Sequence, residues 1–175
     1  MTSHMHFSVK CHRGIASMLA GAALAIGLFS TNLVASGQEQ GIAAPKDVIF
    51  ARKILMATIA NSMYPVDQML QTGKIDLSVA RHHADAIAGM MTAFPHLFPP
   101  STNTWTANAP RDAATDTFAD PAIWLSYEFF YKECKAAADY AYDASQAQTE
   151  EEFRKHAVQL RLTCDTCHAT YQKNN

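Results

Sequence analysis

The chain has 175 residues, 49% of them hydrophobic and 17% charged, with 7 Gly and 7 Pro. That balance describes a folded chain and excludes disordered, collagenous and low-complexity classes. A formal net charge of −2, with no Lys/Arg run beyond isolated pairs, removes the electrostatic footprint of a nucleic-acid binder.

Residues 1–36 differ from the rest. They hold Lys10 and Arg13 and no acidic residue, then an apolar run from Ile15 to about Leu28, a polar shoulder at Ser30, Thr31 and Asn32, and Val34-Ala35-Ser36. A basic start, an apolar core and small residues at a cleavage point describe a secretory signal peptide. Cleavage is expected near Ser36, leaving residues 37–175 as the exported, periplasmic domain. The apolar run falls short of the roughly 20 residues that span a bilayer, so the mature chain is not expected to insert in a membrane; an uncleaved anchor is the alternative. Cys11 leaves with the peptide.

After residue 45 the pattern reads as four helices and no strands. Ile49, Arg52, Met56, Ala60 and Met63 form a stripe at helical spacing over Lys46 to about Gln71. Pro65 should bend or end that helix, and Thr72-Gly73 closes it. A second helix runs from about Leu77 to Ala93, with Ala80, Ala84, Ile87, Met91 and Phe94 on one face. A long connection rich in Pro, Thr, Asn and Asp covers Phe94 to Asp120, longer than a tight bundle turn. Asp120-Pro121 opens a third helix reaching about Ala144, with Ile123, Tyr127, Phe130, Cys134, Ala137 and Ala141 inward. Thr149-Glu150-Glu151-Glu152 is a capping box opening the fourth, which carries Phe153, Ala157, Leu160, Cys164, Cys167, His168 and Tyr171 on one face. Four such helices pack as an all-α antiparallel bundle.

The chemistry lies in Cys164-Asp165-Thr166-Cys167-His168, a C-x-x-C-H motif. On a helix these two cysteines and the histidine share a face. That is what covalent haem attachment needs: two thiols add to two vinyl groups on one porphyrin edge, and the adjacent imidazole coordinates iron. A thioredoxin-like pair would want a βαβ context. A zinc site would need two further ligands, with only Cys134 and scattered histidines to supply them. Chance placement of buried residues is the third alternative. Export also disfavours free thiols.

His168 stands seven residues from the end, ~10 Å from the tip of its helix at ~1.5 Å per residue. In an up-down-up-down bundle the first helix runs antiparallel to the last, so its start faces that tip. Met56 lies at a similar depth, which makes it the candidate for the side of the haem opposite His168. Met63 would be roughly 10 Å further away.

Taken together, Arg52 followed by Met56, the Phe94-Pro95-His96-Leu97-Phe98-Pro99 run, Pro121-Ala122-Ile123-Trp124 and the haem motif followed by Tyr171 resemble the class II c-type cytochromes, the cytochrome c' family. The resemblance spans about residue 46 to 175 and implies one haem c held by Cys164 and Cys167, with His168 on the iron. It implies that the residue four after the arginine lies over the iron. A non-ligating residue there gives a five-coordinate, gas-binding protein; a methionine gives a six-coordinate, low-spin electron carrier. Met56 puts the expectation on the second branch, a monohaem one-electron carrier with unidentified redox partner proteins. Binding of nitric oxide or carbon monoxide is the alternative, with Met56 displaced or the distal side vacant. No distal His/Arg pair suited to oxygen–oxygen cleavage is apparent, so the protein is not expected to be an enzyme. Family members can dimerise through the first two helices, leaving a homodimer open. Where the family usually has an arginine, four residues after the histidine, this chain has Gln172, with Lys173 beside it.

Other residues have plainer readings. Arg52 is either a surface charge or a partner of a haem propionate. Trp124 is expected to pack near the haem and anchor the third helix, and Tyr171 belongs to the pocket. Met63, Met90 and Met91 are read as core filler. Cys134 is read as a small buried hydrophobe, and His82 and His83 as part of a solvated face.

Overall fold

The computed structural model describes residues 43–108, 112 and 116–173. The expected signal peptide, 1–36, lies outside them. Helix α1 spans Pro45–Thr72, α2 Leu77–Ala93, α3 Ala122–Leu125, α4 Tyr127–Gln146 and α5 Glu150–Tyr171. Two short 3₁₀ turns, Phe94–Leu97 and Pro100–Thr102, follow α2. Among the described residues there is no strand, only an isolated antiparallel bridge between Ala119 and Gln172.

Local chemistry accounts for most of the boundaries. Pro45 sits in the first turn of α1, where its missing N–H costs nothing. Gly73 closes α1 at φ 73°, a left-handed conformation that glycine adopts without Cβ strain, and its N–H reaches the Met69 carbonyl. The Asp76 carboxylate caps α2 through the Ser78 and Val79 N–H groups. Thr149 caps α5 through the Glu152 N–H, and the Glu152 carboxylate reaches back to the Gln148 N–H.

Four expectations change. Pro65 does not end α1, which continues to Thr72. The carbonyl one turn before it belongs to Asn61, an exposed residue, so water can take the bond that proline cannot donate. The expected third helix is divided: Ser126, at φ −136° and ψ 46°, separates one-turn α3 from α4. Ala60, expected inward, is exposed, and the buried stripe of α1 is Ile49, Arg52, Ile59, Met63 and Val66. Tyr127 is likewise part-exposed, its hydroxyl donating to the Pro95 carbonyl at 2.7 Å.

The main core lies among α2, α4 and α5. Ala80 and Ala84 on α2 and Ala137, Ala141 and Ala144 on α4 are small enough to let helices approach, and Phe130, Phe153, Ile87 and Leu160 fill the space between them. α1 packs along α2 but meets α5 only lightly. That light meeting leaves a gap at one end of the bundle.

Candidate functional site

The gap opens between the first half of α1 and the last turns of α5. It holds a cavity of about 310 Å³, walled by Arg52 and Met56 from α1, Phe94 and Phe98 from the turn after α2, and Cys167 and His168 from α5. A narrower space of about 70 Å³ continues deeper, past Ile59, Met63 and Cys164. Met56, Phe94, Cys167 and His168 line both spaces. The sequence spacing thus places Met56 and the C-x-x-C-H motif on facing walls of one gap.

The end of α5 is fixed by backbone pairing. The Asp120 N–H donates to the Tyr171 carbonyl at 2.9 Å, and the Lys173 N–H to the Phe118 carbonyl at 2.8 Å. Lys173 also forms an ion pair with Asp120. The Ala122 N–H and then Lys173 hold the Asp120 carboxyl below the usual carboxylate range. Tyr171 lies edge-on to Phe130, with ring centroids 5.4 Å apart, and lines the 310 Å³ cavity.

Within that frame, Cys164 and Cys167 are half-buried free thiols. Burial raises both thiol pKa values, Cys167 to about 12. His168 is open to solvent on one side, yet surrounding protein, and then the Arg161 guanidinium, push its pKa below the usual imidazole value while Asp165 opposes them. The neutral ring this favours is the form that ligates metal.

Arg52 is buried, not a surface charge. Its Nη1 donates to Thr102 Oγ1 at 2.9 Å, and its Nη2 to Thr117 Oγ1 at 2.6 Å and the Thr102 carbonyl at 3.4 Å. The guanidinium also lies over Phe98, 4.7 Å from the ring centroid. Among the described residues its hydrogen-bond partners are neutral oxygens, and burial lowers its pKa to about 10. A buried cation with neutral partners at the wall of an apolar cavity is suited to a carboxylate brought in by a ligand. Thr102 and Thr117 sit in the long connection, where no periodicity marks a threonine as buried.

Trp124 stands one layer behind the cavity wall, against Phe98 and Arg52. Its indole N–H donates to the Phe98 carbonyl at 3.0 Å, and its ring faces a separate cleft with His96, Pro99 and Tyr127. It supports Phe98 from behind and is not a wall of the cavity. Gln172 lines the cavity, whereas Lys173 turns to Asp120 and to the Trp105 ring, 5.3 Å from its centroid. Met63 and Met91 are buried, as core filler should be.

The residues fit a haem: two thiols and an imidazole on one helix face, an apolar gap beside them, and a buried guanidinium at its edge. Comparisons with known proteins agree. The family model described as Cytochrome C' matches residues 47–172, whereas a search of curated proteins finds no match. Cytochrome c' from Rhodopseudomonas palustris is a similar solved structure, 25% identical with a TM-score of 0.63 over 74% of this chain and 98% of that one. Cytochrome c prime from Shewanella frigidimarina is 21% identical, with a TM-score of 0.65 over 77% and 100%. A nitric oxide complex of a variant cytochrome c prime from Alcaligenes xylosoxidans is 17% identical, with a TM-score of 0.63 over 77% and 100%. Since the family match runs from the first turn of α1 to the end of α5, the chain belongs to the cytochrome c' family.

Proposed function

We propose that the protein is a periplasmic monohaem cytochrome that binds diatomic gases, nitric oxide or carbon monoxide, on the side of the haem opposite His168, where Met56 is the side chain an incoming ligand meets and displaces. Cys164 and Cys167 would hold the haem by thioethers and His168 would ligate its iron. When bound, the haem supplies an iron centre able to take a diatomic ligand and to change oxidation state by one electron.

The observation that carries this reading is the setting of Met56. It is half-buried and lines both cavities, whereas Met63 and Met91 are buried and line only the narrower one. A flexible thioether at a cavity wall can swing aside with little repacking. Phe94, Phe98 and Phe130 make the gap apolar, which excludes water and suits uncharged gases. Arg52 would take a haem propionate, replacing part of the solvation its burial removes. Support also comes from the nitric oxide complex of the similar Alcaligenes protein.

A second reading is favoured by the chemistry of Met56 itself. A thioether facing His168 could remain on the iron in both oxidation states, keeping one geometry and making the protein an electron carrier. Exposed Phe50, Ile54 and Tyr64 on α1 support a homodimer through the first two helices.

Carbon monoxide added to the reduced holo-protein separates the two functions. A shift of the Soret band is expected for the gas binder. An unchanged low-spin spectrum would favour the carrier.

A further inference from the structure

The haem motif leaves one charged side chain of the gap without a role. Arg161 on α5 lines the narrower, deeper space together with Met56, Cys164 and His168. Seven residues before His168, it lies roughly 10 Å further into the bundle at ~1.5 Å per residue. It also stands one turn before Cys164. Residues three apart share a helix face, so a group tied to Cys164 comes against Arg161.

The two ends of the guanidinium are held differently. Its Nη1 donates to the Asp67 carboxylate of α1 at 3.4 Å, and its Nη2 to Asp165, one turn along α5. The inner Nε–H is fully buried, and among the described residues it has no hydrogen-bond partner. Folded proteins keep few buried donors unpaired, because such a donor has lost water and gained nothing. The guanidinium is planar, so bonds from both Nη atoms hold the Nε edge on the inner side.

The surrounding charge is unbalanced. Asp67 and Asp165 flank Arg161, and Glu133 of α4 lines the same space. Among the described residues lining that space, Arg161 is the one cation. Met63, Met91 and Phe94 make the rest of the wall apolar, which leaves charges there weakly screened.

We propose that Arg161 is a haem contact at the inner end of the gap, where its charge holds the iron's reduction potential up against Asp67, Asp165 and Glu133. The proposal rests on the reading of Cys164 and Cys167 as haem anchors, and it holds for a gas binder and an electron carrier alike. Reduction adds one electron to the iron and lowers its positive charge by one. A neighbouring cation therefore opposes the oxidised state more than the reduced one, and three carboxylates do the reverse.

The test is a spectroscopic redox titration of the full-length holo-protein, with dithionite as electron donor and ferricyanide as acceptor. Arg161→Gln should shift the midpoint to lower potential. Arg161→Lys, which keeps the charge, should stay close to the unsubstituted protein. Asp67→Asn breaks the same bridge but removes a negative charge, so it should shift the midpoint upward. A merely structural bridge would move Arg161→Gln and Asp67→Asn the same way. Shifts of one sign, no shift, or a fall in Arg161→Lys as large as in Arg161→Gln overturns the proposal. A second measurement needs no folded variant. In the oxidised protein carrying isotope-labelled arginine, the paramagnetic iron should displace or broaden the Arg161 Nε–H resonance far more than that of Arg154, two turns away. Equal effects on the two would remove Arg161 from the haem. If the unsubstituted holo-protein carries no denaturant-resistant haem, the anchor reading fails; if haem is attached and the midpoints do not separate, only the role of Arg161 fails.

Discussion

The two ends of the bundle are made differently. At the far end, Ala80, Ala84, Ala141 and Ala144 let the helices approach around Phe153 and Leu160. There α1 and α5 are also joined by side chains, Arg154 donating to the Leu70 and Gly73 carbonyls. At the haem end the same two helices stand apart around an apolar cavity whose edge holds the buried Arg52. One end completes its core with its own side chains; the other is shaped to receive a group the chain does not encode. The closed end should therefore answer to volume, and the open end to the cofactor.

The sharpest break comes from the anchors. Replacing both Cys164 and Cys167 with Ala should abolish covalent attachment, so acid-acetone treatment of the denatured variant should extract all its haem. Haem retained on the denatured chain would place the anchors elsewhere. Next, apo- and holo-protein should differ in stability, because a group that binds only the folded state stabilises it. Circular dichroism melts of matched samples measure that gap, and coincident melts would show an open end that does not need its cofactor.

Volume changes sharpen the contrast. Phe153→Ala, at a fully buried position of the closed end, should cost about 3–5 kcal/mol in denaturant titrations. Met56→Leu nearly conserves volume at the cavity wall and should cost below ~1.5 kcal/mol. Equal losses would erase the distinction between the ends. Smallest is the tie between α5 and the start of α3. Asp120 has a depressed folded-state pKa, so its contribution is present above the ordinary carboxylate pKa of about 4 and is lost as pH falls through the folded value. Asp120→Asn keeps a capping oxygen but loses the charge that pairs with Lys173, so it should cost less than about 1 kcal/mol near neutral pH and flatten that acid dependence. An unchanged pH profile would mean that Asp120 plays no part in the tie.

Much of this was legible in residue order. The spacing of Ala80, Ala84, Ile87 and Met91 with the Asp76 cap delimits α2, and the Thr149–Glu152 capping box starts α5. The C-x-x-C-H motif, with the depth of Met56, anticipated which walls would face. Long-range polar partners were not legible. Whether Arg52 lies on the surface or inside depends on Thr102 and Thr117, 50 and 65 residues away in a connection without periodicity. Trp124 could be assigned to the third helix but not to one side of Phe98, because that choice follows from its bond to the Phe98 carbonyl. Continuation of α1 through Pro65 likewise depends on solvent exposure one turn earlier, which local sequence does not fix.

The central claim is that Met56 guards, and yields, the gas-binding side of the haem opposite His168. Carbon monoxide titration of the reduced holo-protein, followed in the Soret band for the unsubstituted chain and for Met56→Leu, tests it most directly. Both should bind, and the Leu variant more tightly, because a side chain that must first leave lowers apparent affinity by the fraction of time the site is free. Failure of the unsubstituted protein to bind carbon monoxide while Met56→Leu binds it would make Met56 a permanent ligand and the protein an electron carrier. Equal affinities would show that Met56 does not stand at the site at all.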